Sequence, residues 1–264
     1  MGAVTATCYS DGVRTSYRGI AQAMHDGIRA CGDDALLTHR LVYRRAHVGV
    51  MYGWKFNAVL RQHPRFVYAD LGYWHRERYW RLAANAWSPV KAMPRSMPAD
   101  RFVALNVAVL PEHRGEYVLV LGASRKSMRE HGYAHTQWEA RVCEKLLRLG
   151  ARVLFRPKPK DPDAHPIHGT EYAAHGSLEA LFAGASLVVA HHSNACLEAV
   201  AAGCAVHCVT GIASERSVPL NAWRDPPRVH GREQLLADAA YAQWTLDEMR
   251  SGAAWRCIRG GTLQ

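Results

Sequence analysis

Two hydrophobic periods alternate along this chain. Short apolar, β-branched runs read as strands, and stretches with apolar residues every three or four positions follow them. "VTATCYS" (residues 4–10) is a β-prone run stopped by "DG". "YRGIAQAMHDGIRACG" (17–32) has helical spacing and closes on Gly32. "LLTHRLVY" (36–43), "AHVGVMYGW" (46–54) and "RFVYADLGYW" (65–74) are predicted strands, with a short helix, "KFNAVLRQH", before the last. From about residue 86 to about 115 the periodicity dissolves into proline-rich sequence, which predicts a connection. The pattern then restarts. "EYVLVLGAS", "ARVLFRPKPK", "SLVVAHHS" and "CAVHCV" are predicted strands, and "TQWEARVCEKLLRLG", "SLEALFAGA" and "NACLEAVAAG" are predicted helices, with Ser177 a cap for the second. Residues 231–258 supply one or two terminal helices.

Strands alternating with helices predict βαβ units and parallel sheets. The expected class is α/β, in two Rossmann-like halves facing a central cleft, an N-terminal domain over residues 1–100 and a C-terminal domain over 101–264 (the acceptor-side and donor-binding halves in the family resemblance given below). Open sheets of this kind bind ligands at the carboxyl ends of their strands, so residues just after strands are the ones to weigh.

Composition narrows the classes. A chain of 264 residues, 48% hydrophobic, can bury a sizeable core. No apolar run is long enough to span a bilayer, and the N-terminal "MGAVTATCYSDG" lacks the basic start and apolar stretch of a secretory signal. The seven cysteines (Cys8, Cys31, Cys143, Cys196, Cys204, Cys208, Cys257) include no CxxC pair, so reduced thiols and a cytoplasmic location are expected. The net charge of +10 favours polyanionic partners such as nucleic acid or nucleotide phosphates, although many basic residues are ordinarily just solvated surface.

Four constellations carry candidate chemistry. In "AHHSNACLEAVAAG" a strand ends in His191, His192, Ser193 and Asn194, and a small-residue helix follows with Glu198 one turn in. Free N–H groups and the dipole of a helix start attract anions, and a carboxylate one turn in can accept two ribose hydroxyls. Capping by Ser193 or Asn194 with a dipole-favouring Glu is the plainer explanation. In "LFRPKPK" alternate prolines hold Arg156, Lys158 and Lys160 in an extended loop suited to phosphate, or simply exposed to water. "VLGASRKS" places Gly122 and Ser124 after a strand. It is neither a GxGxxG fingerprint nor a P-loop, which argues against a dinucleotide dehydrogenase and a standard NTPase.

In "VYADLGYWHRERYW" Asp70 ends a strand as a candidate general base, among Tyr73, Trp74, His75, Arg76, Arg78, Tyr79 and Trp80. Aromatics interleaved with arginines suit sugars or bases, and a packed aromatic corner with a capping Asp is the even alternative. Asp11 and Arg14, after the first strand, and Trp54 and Lys55, after the third, are further candidates to face the same cleft. His191 and His192 can ligate a metal, but no third ligand has convincing spacing, and no metal site is expected.

The order of basic-proline loop, "HHSN" turn, helix with Glu198 and "AAGCAV" resembles the donor-binding half of GT-B fold glycosyltransferases, over roughly residues 117–210. "RPKPK" is similar to the basic loop of capsule-polysaccharide-type members. "FVYADLGYW" and "QWTLDEMRSGAAW" resemble small phage-encoded members of this class, some associated with sugar addition to hydroxymethylated pyrimidines in DNA. The chain is short for two full Rossmann domains, and GT-B enzymes usually need no metal.

The resemblance implies a hexosyltransferase-type enzyme with no cofactor, using a nucleotide sugar such as a UDP-sugar. Ser124, Arg156, Lys158, His192, Ser193, Asn194 and Glu198 would hold the donor, and Asp70 would be catalytic. Asp11, Arg14, Trp54, Lys55, Tyr73, Trp74 and Arg76 would hold the acceptor. The favoured acceptor is a 5-hydroxymethyl-pyrimidine in phage DNA, in the host cytoplasm. The alternatives are a surface or capsular polysaccharide transferase and an inactive nucleic-acid-binding module.

Overall fold

The computed structural model describes residues 3–53, 57–87, 93–159 and 161–261. They divide into two compact units: Met1–Leu105 with Ala237–Gln264, and Asn106–Leu236.

The first unit opens with β1 (Thr5–Tyr9), α1 (Thr15–Ala30), β2 (Asp34–Thr38), β3 (Val48–Tyr52), α2 (Asn57–Leu60), β4 (Arg65–Leu71), β5 (Trp80–Ala84) and α3 (Asp100–Ala104). The second holds β6 (Tyr117–Leu121), α4 (Arg125–Glu130), α5 (Gln137–Arg148), β7 (Val153–Arg156), β8 (Glu171–Tyr172), α6 (Leu178–Ala183), β9 (Ala185–Ala190), α7 (Ala195–Ala201) and β10 (Ala205–Cys208). The division falls within α8 (Arg232–Ala240), after which β11 (Gln243–Trp244), α9 (Leu246–Arg250) and α10 (Ala253–Gly261) complete the first unit.

The sheet of the first unit runs β11-β5-β4-β3-β1-β2. β2, β1, β3 and β4 are parallel, while β5 is antiparallel to β4 and to β11. α1 covers this sheet because Tyr17, Ile20, Ala21, Met24 and Ile28 recur at helical spacing and are all buried. Gly27 lets α9 approach: a Cβ there would lie 1.8 Å from the Met249 carbonyl oxygen.

The return of the tail to this unit departs from the expected division, in which the tail belonged to the second domain. One buried carboxylate explains it. Asp33 accepts the Val4 N–H (3.0 Å), the Trp255 indole N–H (2.8 Å) and an Arg259 N–H (2.7 Å), so it ties α10 to β1 and β2. Trp255 is fully buried, and its truncation to Ala would cost about 3–5 kcal/mol. Arg101 adds a second tie, paired with Glu248 and stacked 4.2 Å over the Trp244 ring.

The second unit is a wholly parallel sheet, β10-β9-β6-β7-β8. α5 presents Trp138, Val142, Cys143 and Leu146 to its core, and Ser177 caps α6 through the Ala180 N–H, as expected. β6, first in sequence, sits mid-sheet. The chain moves outward from it to β7 and β8 on one side and to β9 and β10 on the other. Such a reversal leaves a crevice at the carboxyl ends of the flanking strands.

Sequence periodicity located the long elements and missed several short ones. β5, β8, β11, α3 and α4 were not expected, and "LLTHRLVY" is a strand only up to Thr38. There the Thr38 hydroxyl accepts the Arg40 N–H (3.1 Å) and turns the chain.

Candidate functional site

The carboxyl edge of the second sheet gathers three of the expected segments. Gly122 follows β6, Arg156 ends β7, and His191 follows β9. The first two segments are in close backbone contact: the Gly122 N–H donates to the Arg156 carbonyl (2.7 Å), and a Cβ on Gly122 would lie 2.9 Å from Lys158 N and 3.1 Å from Pro157 Cα. Only glycine permits that approach.

Ser124 caps α4 by accepting the Ser127 N–H (3.3 Å). Lys158 is exposed, and Lys160 lies outside the described residues. Arg156 differs from the expected outward-pointing cation. Its Nη1 donates to the Ala173 and His175 carbonyls (3.0 and 2.9 Å), so it also anchors the loop after β8. Ser193 accepts the Ala195 N–H (3.2 Å). Asn194 occupies the N-cap position of α7 without a side-chain capping bond, and Glu198 is half-buried one turn on.

Two further groups stand at this edge that the sequence pattern did not single out. Glu139, on α5, is buried, and its Oε1 accepts the Ala123 N–H (2.8 Å) under the β6 turn. Its Oε2 finds no partner among the described residues. His131, at the end of α4, stacks near the "HH" pair, with ring centroids 4.5 Å from His191 and 5.2 Å from His192. His191 is buried between Trp138 (5.3 Å) and Tyr133 (5.8 Å), and its Nδ1 lies 3.0 Å from Nδ1 of His192. Burial, then the charge of nearby His131, lowers the His191 pKa to about 4, so this imidazole is neutral at physiological pH.

The carboxyl edge of the first sheet is a different environment. Asp70 lies near the end of β4, opposite Arg81 on β5. Its Oδ1 accepts the Leu71 N–H (2.8 Å), and its Oδ2 accepts the Tyr68 hydroxyl (3.0 Å) and Arg81 Nη2 (2.9 Å). The Asp70 side chain is 34% exposed, against 12% for Arg81. Burial, reinforced by the Asp70 charge, raises the pKa of Tyr68 and lifts that of Tyr52 to about 12. Both therefore stay neutral, and Tyr68 remains a donor to Asp70. Burial works against the Arg81 charge, but Asp70, with Tyr73 and Tyr68 beside it, outweighs burial and raises that pKa.

Asp11 accepts the Val13 and Arg14 N–H groups (3.1 and 3.0 Å) at the end of β1. The Arg14 guanidinium lies 5.2 Å from the Tyr17 ring centre, and Tyr17 meets Tyr52 edge-on at 5.0 Å. Asp11, Arg14 and Asp70 thus all stand at strand ends of one sheet edge. Trp54 and Lys55 lie outside the described residues.

Tyr73 and Trp74 correct the expectation of an open aromatic acceptor surface. Both are buried, at 1% and 6% exposure, and their backbone N–H groups donate to Gln243 Oε1 (2.8 and 3.1 Å). Trp74 packs on Phe102. The side-chain polar atoms Tyr73 OH, Trp74 Nε1, Gln243 Nε2 and Arg81 Nε find no partner among the described residues. Buried atoms of this kind are ordinarily completed by water or a ligand. Arg76 is exposed in the turn between β4 and β5, after His75 with its positive φ of 47°.

The chain matches no protein-family model and no curated protein. Among solved structures it is similar to a β-Kdo 2,4 transferase of Thermosulfurimonas dismutans KpsC, at 12% identity and a TM-score of 0.55, over 98% of this chain and 99% of that one. It is likewise similar to the β-Kdo 2,7 transferase of KpsC from the same organism, at 11% identity and a TM-score of 0.56, over 97% and 99%. The fold is accordingly GT-B-like, built of two Rossmann-like α/β units. No helix among the described residues is long and apolar enough to cross a membrane.

Proposed function

We propose that the chain is a glycosyltransferase that moves a sugar from a nucleotide-sugar donor, such as a UDP-sugar, to a hydroxyl of a surface-polysaccharide acceptor. The observation that carries the reading is the likeness to two Kdo transferases over nearly the whole of both chains. The polar strand ends support it, because they lie at the sheet edges where such folds bind ligands.

In this reading the second unit holds the donor. Ser193, Asn194 and the N–H groups before α7 receive the donor phosphates, with Ser124, Arg156, Lys158 and His192 around them. Glu198 accepts the ribose hydroxyls. The first unit supplies the base. The acceptor hydroxyl gives its proton to Asp70 and its oxygen attacks the anomeric carbon. The bond from that carbon to the phosphate oxygen breaks, and the nucleotide leaves with the electron pair. The basic loop and the donor N–H groups stabilise the charge that develops on the leaving phosphate. Tyr68 and Arg81 hold the Asp70 carboxylate in place, and its partial exposure admits the acceptor. Asp11, Arg14 and Arg76 are the accessible acceptor-side contacts.

A saccharide acceptor is preferred because both solved neighbours are Kdo transferases. The net charge of +10 favours the other arm of the test, 5-hydroxymethyl-pyrimidine DNA. The protein is incubated with labelled nucleotide sugars, including a Kdo donor, and either a capsular oligosaccharide or a hydroxymethylpyrimidine duplex. Transfer to the saccharide, lost in Asp70→Asn and Glu198→Ala, is expected. Transfer to DNA alone would replace the acceptor assignment. Absence of transfer from every donor, together with salt-sensitive DNA binding, would leave an inactive nucleic-acid-binding module.

A further inference from the structure

We propose that His131, His191 and His192 form a binding site for a divalent transition-metal ion of the zinc class. The sequence offers only the adjacent pair, and the fold supplies the third imidazole from the end of α4, sixty residues earlier.

Three observations converge. The ring centroids form a nearly equilateral triangle, at 4.5, 5.2 and 5.2 Å. One ligating nitrogen from each ring lies within 4.8 Å of the other two. Within that triangle, the Nδ1 atoms of His191 and His192 are 3.0 Å apart and face one another. Two zinc–nitrogen bonds of about 2.0–2.1 Å at a tetrahedral angle place their nitrogens about 3.3 Å apart, so this pair is close to coordination spacing. His131 is exposed, and a side-chain swing of at most roughly 1.5 Å brings its nitrogen to the same spacing.

The surroundings suit a fixed ligand set. Trp138 and Tyr133 wall the buried His191 edge-on, which holds its ring, while His192 and His131 lie progressively nearer solvent. Two Nδ1 atoms in contact share one proton. A metal ion taking both lone pairs requires the donating ring only to move that proton to Nε2, with no change in net charge. An all-imidazole set selects zinc, cobalt, nickel or copper over magnesium or calcium. Three protein ligands leave a coordination position for water or an anion.

Metal binding at these residues stands whether or not the chain transfers sugars, and it departs from the metal-free site expected of the sequence. The test uses Co²⁺ alone as a spectroscopic probe on the full chain. One equivalent is expected to give the intense visible band of a tetrahedral or five-coordinate ion and to be displaced by Zn²⁺. His131→Ala and His192→Gln, at exposed and half-buried positions, are expected to leave thermal unfolding of the metal-free protein unchanged and to weaken Co²⁺ binding on the order of 100-fold each. Pyrophosphate is expected to alter the band, and a band indifferent to it would overturn the open position. Failure to bind one equivalent would overturn the site, and binding unchanged in both variants would overturn it and place the ion on other histidines of the fifteen in the chain.

Discussion

The two sheet edges have the same parentage and opposite characters. At the first, one carboxylate is held by Leu71, Tyr68 and Arg81, so Asp70 is fixed as an acceptor in a network of neutral phenols and one cation. At the second, the guanidinium–carboxylate pair just past the strand ends, Arg125 with Asp163 (2.7 Å), is exposed on both sides rather than set into the sheet edge. A glycine turn presses against the "RPK" backbone, and imidazoles, hydroxyls and N–H groups surround it. An edge organised around a carboxylate suits moving a proton. An edge of donors and imidazoles suits holding anions or a metal. A transferase needs both kinds, and parallel-sheet topology delivers strand ends to each without dictating the chemistry placed there.

The comparison can be broken at either edge. The largest effect is expected from Asp70→Asn, which keeps the shape of the network and removes the base. Turnover should fall by about 10²–10⁴-fold in a transfer assay, and the unfolding midpoint should fall as well, because the shielded Arg81 guanidinium loses its counter-charge. Arg81→Met leaves Asp70 without its cation, and the pair is only partly shielded from water. The loss should be about 1–3 kcal/mol in urea unfolding, and a loss below that would mean the first edge is less constrained than described. Gly122→Ala tests the second edge: its Cβ would fall 2.9 Å from Lys158 N, so the "RPK" loop must shift. About 1–2 kcal/mol of destabilisation and weaker donor binding are expected.

The smallest effect is a pH dependence in the tail that supports the first edge. Burial works to raise the Glu248 pKa, but the hydrogen bonds from Arg101 and Thr245 and the Arg101 charge together outweigh it, and the net shift is downward from 4.5. A depressed carboxylate contributes stability that is present above its unfolded pKa and lost as pH falls through the folded value. Acid unfolding should therefore show a contribution that fades below about pH 4.5 in the native chain and is smaller in Arg101→Met, where only the Thr245 hydrogen bonds remain.

Much of the fold was legible because α1, α5 and the strands β3, β6 and β9 carry long, clean periods whose buried faces are set locally. The missed elements are defined by partners. β5 is a strand because it lies antiparallel on β4, and β11 is two residues recognised only through β5. The return of the tail depends on Asp33 meeting Trp255 and Arg259 across more than two hundred residues, which no local pattern encodes. The candidate site divides the same way. Strand-end positions placed Asp70, Arg156 and the "HHSN" turn at sheet edges. Aromatic composition could not tell that Tyr73 and Trp74 point inward, or that His131 joins the pair at 191 and 192.

The division of labour between the edges is tested most directly by donor affinity. Equilibrium binding of the nucleotide-sugar donor is measured by calorimetry for the native chain, Asp70→Asn and Glu198→Ala. Asp70→Asn should bind donor as the native chain does, and Glu198→Ala should bind it at least about tenfold more weakly, the loss of one charged hydrogen-bonding group. Equal weakening in both variants, or none in Glu198→Ala, would contradict the assignment of the donor to the second unit.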